Sequence, residues 1–188
     1  MITDMSHEQS GCYEDGSKVK ILTVGRMSPP KGIDTAVLAC AELIKRGYDV
    51  KWYHIGRGEQ EEEIRSLVKD NRLESNFILL GEKENPYPYM RECDIYVQPS
   101  RFEGKSIAID EAKCLAKPIA VTAFPTVFDQ IEDGVNGIIA GTTPESLADK
   151  IEMLINDETL KSKLAENLLA EKVGNEEEIN KFCELLEI

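Results

Sequence analysis

From Lys18 onward, short apolar runs alternate with longer amphipathic stretches, and that alternation predicts the elements. Val19 to Val24 is a β-rich run ending at Gly25. Lys31-Gly32 then opens a helix with Ile33, Ala36, Val37, Ala39, Cys40, Leu43 and Ile44 on its apolar side, and Gly47 stops it. A second strand, Val50 to Ile55, ends at Gly56-Arg57-Gly58 and precedes a charged helix from Glu59 to Asn71 with Ile64, Leu67 and Val68 inward. Phe77 to Leu80 is a third strand closed by Gly81, and Asn85 to Met90 is a turn leading into one short helix. Asp94 to Val97 is a fourth strand, Ser106 to Ala116 a helix and Pro118 to Val121 a fifth strand. Thr126 to Glu132 predicts a short helix and Asn136 to Ala140 a sixth strand. The rest is helical: Pro144 to Ile155, Glu158 to Val173 and Glu176 to Leu186. Residues 1–17 are polar without apolar period and are expected to be a tail or linker remnant that carries no fold information.

Strands joined through helices run parallel and cross over right-handed, so the expected fold is α/β, a doubly wound, mostly parallel six-stranded sheet with helices on both faces. Residues 18–188 form its single domain. Ligands of such sheets sit beyond the carboxyl ends of the strands, where the strand order switches. Here those ends carry Arg26 and Lys31, Arg57, Lys83, and Arg101 and Lys105. Glu59, Glu82, Glu84 and Glu103 share the edge, so the cations act as individual phosphate ligands rather than as a patch.

Overall charge sharpens that point. Against 22 Lys+Arg stand 35 Asp+Glu, a formal net charge of −13, which repels nucleic acid and anionic lipid. Five cysteines, an odd number without C-x-x-C spacing, point to a reduced compartment, and two histidines are too few for a histidine metal site or triad. No run of transmembrane length and no signal peptide is present in the sequence.

The candidate chemistry concentrates in residues 99–112. A strand, a polar turn and a helix start meet there, and the backbone N–H groups of Gly104, Lys105 and Ser106 are expected to be free to bind an anion such as phosphate. Glu103 lies in the turn and Glu111 two helical turns in, where both face one ligand. Two carboxylates beside an anion site suit a ligand with hydroxyls as well as phosphate, a description that a sugar nucleotide fits. The plain alternatives stay open: Arg26 and Lys31 as solvated charges, Glu111 as an exposed helix acid. Against the latter, its i−4 and i+3 neighbours, Ile107 and Cys114, are apolar. Tyr87 and Tyr89 read as packing residues. Gly56-Arg57-Gly58 has Glu61 where a dinucleotide fingerprint needs its third glycine, and Gly104-Lys105-Ser106 has Pro99 where a P-loop needs its first.

In order and spacing, several motifs match one family. They are Val24-Gly25-Arg26 with Lys31-Gly32, Gly56-Arg57-Gly58, Leu79-Leu80-Gly81, Pro99 to Gly104, Glu103 and Glu111 with seven residues between them, Glu111-Ala112, Lys117-Pro118, and Asp133-Gly134 to Asn136-Gly137. Over residues 18–188 the chain resembles the C-terminal, donor-binding domain of group 1 (family four) glycosyltransferases, a Rossmann-like half of a GT-B enzyme. The resemblance implies a retaining transferase that moves a sugar from a nucleoside-diphosphate sugar, a UDP-sugar by analogy, to a glycan or lipid-linked acceptor in surface polysaccharide synthesis. Arg26 and Lys31 would bind the diphosphate, Glu103 a sugar hydroxyl and Glu111 the ribose, making Arg26, Lys31 and Glu103 the catalytic candidates. Gly25, Gly56, Arg57, Gly104, Lys105 and Ser106 complete the donor site. Lys105 stands where many members have a bulky apolar residue. The resemblance further implies no metal and no cofactor, an acceptor domain absent from these residues, a cytoplasmic location at the inner face of the membrane, and no turnover by this chain alone. Two other readings are a non-catalytic nucleotide-sugar-binding module acting with a partner chain and a sugar-nucleotide epimerase of similar fold.

Overall fold

The computed structural model describes Tyr13 and residues 19–174. Its strands are β1 (Val19–Val24), β2 (Val50–Ile55), β3 (Phe77–Gly81), β4 (Ile95–Gln98), β5 (Ile119–Thr122) and β6 (Ile138–Ala140). Between and after them lie α1 (Ile33–Lys45), α2 (Glu61–Asp70), α3 (Tyr87–Glu92), α4 (Ile107–Cys114), α5 (Pro144–Asn156) and α6 (Glu158–Gly174). The strands form one sheet in the order β3-β2-β1-β4-β5-β6, every neighbouring pair parallel. The order reverses between β1 and β4, which makes the gap beyond their carboxyl ends the switch point.

Alternation along each strand assigns the two faces. Ile21, Trp52 and Val97 join α1, α2 and α5 in one buried cluster, while Leu22, Tyr53 and Tyr96 join Met90 of α3 and Ile109 and Ala112 of α4 in the other. Each large apolar side chain so buried contributes roughly 1.5–3 kcal/mol. α1 presents Ile33, Ala36, Val37, Cys40 and Leu43 to the sheet, a helical stripe that sets its axis. Trp52 meets its one polar obligation by donating Nε1–H to Thr23 Oγ1 at 3.0 Å, and Thr23 donates to the Val97 carbonyl at 2.8 Å. No helix among the described residues is long and apolar enough to cross a membrane.

The expected sheet is present, with local differences. The turn expected to be a helix over 126–132 is a short 3₁₀ turn, Val127–Asp129. Strand β6 begins only at Ile138, because the Asn136 carboxamide accepts from the Glu132 N–H and the Asp133 carboxylate from the Ile139 N–H, tying the preceding residues into a loop. The expectation that residues 1–17 carry no fold information fails at Tyr13. Its ring is 6% exposed and packs 4.4 Å from that of Tyr53, and its hydroxyl donates to the Tyr89 carbonyl at 2.7 Å. The helix expected over 176–186 lies outside the described residues.

Candidate functional site

Three loops converge beyond the carboxyl ends of β1, β2 and β4, and glycines let their backbones touch. Gly56, at φ 137°, would carry a Cβ only 2.1 Å from the Gly25 carbonyl oxygen. Gly32, at φ 64°, would place a Cβ 2.1 Å from that of Pro99. The Gly25 N–H donates to Ile55 O at 2.9 Å, the Gly56 N–H to Gly81 O at 2.9 Å, and the Arg101 N–H to Pro30 O at 2.7 Å. The Arg101 guanidinium then holds both Asp34 carboxylate oxygens, at 2.8 and 2.6 Å. Side chains mounted on residues 25–32 and 99–106 therefore have little freedom relative to one another.

What this brings together is Lys31 and Glu103. The Lys31 stem passes over Gly25, its Cδ 3.8 Å from where a Cβ would stand, and its ammonium meets Glu103 Oε1 at 2.7 Å. Glu103 is only 8% exposed, and the same oxygen also accepts from Ser100 Oγ at 2.7 Å and Gln98 Nε2 at 3.0 Å. A carboxylate this buried is stable only because it is paired and hydrogen-bonded.

The turn into α4 differs from expectation in one respect. The Ser106 N–H is not free: it donates to Gln130 Oε1 at 2.8 Å, while Gln130 Nε2 returns to the Ser106 carbonyl and the Asp110 carboxylate, both at 2.9 Å. A side chain from the loop after β5 thus occupies one of the three groups expected to bind an anion. The N–H groups of Gly104 and Lys105 have no acceptor among the described residues, and open space surrounds Gly104. Lys105 is exposed, with its ammonium 3.2 Å from Asp110.

Arg26 does not join Lys31. It is solvent-facing, 3.6 Å from Glu59. Arg57 is exposed beside Gly81. Glu111 is half-buried, as its apolar neighbours implied, and accepts from the Tyr87 hydroxyl at 2.9 Å. Burial raises its pKa, and the Tyr87 hydrogen bond pulls the other way. Tyr87, read from the sequence as a packing residue, is therefore also a donor to the site. Gln98, Ser100 and Gln130 were missed outright. A glutamine closing an otherwise apolar strand, with a serine two residues on, was the available signal for the first two.

With this geometry in hand, comparison with known proteins is consistent. The family model for glycosyl transferases group 1 matches residues 8–170. A poly(ribitol-phosphate) α-N-acetylglucosaminyltransferase of Staphylococcus aureus is 31% identical over 86% of this chain, which spans 34% of that relative's length. The C-terminal domain of a glycosyl transferase group 1 family protein of Francisella tularensis superposes with a TM-score of 0.73 at 27% identity, over 85% of this chain and 86% of that one. HepE of Anabaena, solved with UDP-glucose, gives 0.74 at 25% identity, over 80% of this chain and 43% of that one.

Proposed function

The chain belongs to the group 1 glycosyl transferases, and we propose that it forms the part of such an enzyme that holds the sugar donor, a UDP-sugar. The observation that carries the proposal is the Lys31–Glu103 pair at the switch point: a cation fit for phosphate and a carboxylate fit for a sugar hydroxyl meet within 2.7 Å. The open N–H groups of Gly104 and Lys105 stand beside them. Glu111 takes the ribose. Arg26, being exposed, reaches the diphosphate only by leaving Glu59. The UDP-glucose complex of the Anabaena neighbour supports uridine, and the S. aureus relative, named for poly(ribitol-phosphate), supports a polymeric acceptor.

In the reaction, the bond from the anomeric carbon to the diphosphate breaks as the acceptor oxygen bonds to that carbon from the same face, the acceptor's hydroxyl proton passing to the departing diphosphate oxygen, with configuration retained. Lys31 and the α4 turn stabilise the charge that builds on the departing diphosphate. Glu103 holds the sugar in register. The rest of the whole protein supplies the acceptor.

Titration of the chain with uridine, guanosine and adenosine diphosphates and their sugars, with and without chelator, tests this. A site open on one side predicts a Kd on the order of 0.1–1 mM, about −4 to −5.5 kcal/mol, unaffected by chelator. Absence of nucleotide binding at millimolar concentration would overturn the proposal.

A further inference from the structure

Behind Glu103 runs a chain of buried polar side chains. Tyr96, Gln98 and Ser100 are 0, 1 and 0% exposed; Tyr96 and Gln98 share one face of β4, and Ser100 follows two residues past the strand's end. The Tyr96 hydroxyl donates to Gln98 Oε1 at 2.7 Å. The Glu103 carboxylate fixes which way the amide points: it can only accept, so Gln98 turns Nε2 toward it and Oε1 toward the Tyr96 hydroxyl. The Gln98 Nε2 group is thereby aimed at Ser100 Oγ, 2.8 Å away, and at Glu103 Oε1, 3.0 Å away. Ser100 gives its own proton to Glu103 Oε1 at 2.7 Å, and Thr122 Oγ1 donates to the Ser100 carbonyl. With Lys31, three donors crowd one carboxylate oxygen. The other oxygen, Oε2, receives none among the described residues.

We propose that Gln98 is a positioning residue for sugar recognition: the Tyr96–Gln98–Ser100 chain pins Glu103 by Oε1 and leaves Oε2 to accept a hydroxyl of the donor's sugar. This rests on the donor-site reading above and adds how the site tells a nucleotide sugar from the bare nucleotide. Lys31 serves the diphosphate whichever way the carboxylate turns, so loss of Gln98 affects the sugar end alone. A carboxylate released from Gln98 still has its charge, its lysine and Ser100, but with one of three donors gone from Oε1 the direction of Oε2 is held less tightly.

The test is calorimetric titration of the 188-residue chain with UDP, UDP-glucose and UDP-N-acetylglucosamine, each variant's folding being checked by its urea midpoint. Gln98→Met is expected to weaken the preferred sugar nucleotide about tenfold and UDP less than twofold. Ser100→Ala should do the same to a smaller extent. Tyr96→Phe combined with Gln98→Met leaves no buried hydroxyl orphaned, and it carries the test if Gln98→Met alone does not fold. Equal losses for UDP and its sugars in a folded variant, or no loss in either, would overturn the positioning role while leaving nucleotide binding intact. Absence of UDP binding by the unaltered chain would instead overturn the donor-site reading, and this inference with it.

Discussion

The two ends of α1 carry two clusters of charge built on opposite plans. At its C-terminal end the Arg46 guanidinium reaches Glu42 at 3.1 Å, Asp149 at 2.8 Å and Glu152 at 2.5 Å. Tyr48 donates to Glu152 at 2.8 Å, and Asn156 to Tyr48 at 2.7 Å. One guanidinium is shared there among three carboxylates that are 23, 62 and 33% exposed. The Tyr48 and Arg46 hydrogen bonds hold Glu152 below the usual carboxylate range, and the Lys45 and Arg46 hydrogen bonds do the same for Glu42. At the N-terminal end, about 20 Å away for 13 residues, Glu103 is only 8% exposed, and all its donors, Lys31 among them, gather on one oxygen. The first cluster fastens α1 to α5 and has nothing left over. The second leaves Glu103 Oε2 without a donor among the described residues, the oxygen that the proposed donor sugar would engage.

The contrast breaks most severely where backbone, rather than charge, holds the ligand end in shape. Gly32→Ala sets a Cβ 2.1 Å from the Pro99 carbonyl at φ 64°, and the loop must open. A loss of about 3–4 kcal/mol in folding free energy is expected, read from the urea midpoint. Gly47→Ala, at φ 90° with nothing within 4 Å, should cost only about 1 kcal/mol, the conformational part alone.

Next in size is a pH effect under the same loops. His54 is fully buried on β2, and neither ring nitrogen has a hydrogen-bond partner among the described residues. Burial pushes its pKa down from 6.5 to about 4. The nearby Gly25 backbone and Glu61 pull upward, without Gly25 reaching a geometry that satisfies the ring. The unfolded chain takes up a proton near 6.5 and the folded one only near 4. Stability is therefore full above pH 6.5 and is lost as pH falls toward 4, by about 3 kcal/mol in all. Denaturation between pH 4 and 7.5 should show a slope that a folded His54→Leu variant lacks. Parallel curves for the two proteins would remove His54 as the cause.

Lys31→Ala should weaken UDP binding by about 2 kcal/mol, the range for a hydrogen bond to a charged group. Arg26→Ala should cost less than half of that, since Arg26 starts in water beside Glu59. Unchanged UDP affinity in calorimetry on the folded Lys31 variant would place the diphosphate elsewhere.

How much of this could be seen in the chain follows from the range of each interaction. Strands and helices were legible because their apolar periods are local, and Lys31, Glu103 and Glu111 because each sits at a fixed step from a strand end. Local pattern could not report that Gln130 reaches back 24 residues to the Ser106 N–H. Nor could it show that Lys31 spends its charge on Glu103, 72 residues away. Tyr13 was invisible for another reason: one aromatic ring among polar neighbours has no period, and its ring partners Tyr53 and Tyr89 lie far along the chain.

A smaller effect separates a ligand carboxylate from a merely tolerated one. Glu111 is half-buried with one oxygen on the Tyr87 hydroxyl. Glu111→Gln keeps size and can still accept from Tyr87, so folding should hold while a hydrogen bond from the ribose weakens by about 1 kcal/mol. The comparison that decides is UDP against its 2′-deoxy form. Equal losses for the two would make Glu111 structural.

The smallest expected change is at the C-terminal end of α1, where the charges are most numerous. Arg46→Ala removes contacts to three acids, yet Asp149 is 62% exposed, Glu42 keeps Lys45 and Glu152 keeps Tyr48. No carboxylate is stranded out of water, so each regains hydration in place of the guanidinium, and exposed pairs are worth little to begin with. The urea midpoint should fall by the equivalent of about 0.5–1 kcal/mol, less in 0.5 M salt, and UDP affinity should not move. A loss as large as that of Gly32→Ala, or any loss of nucleotide affinity, would mean that the two ends of α1 are coupled through the helix rather than built as separate devices.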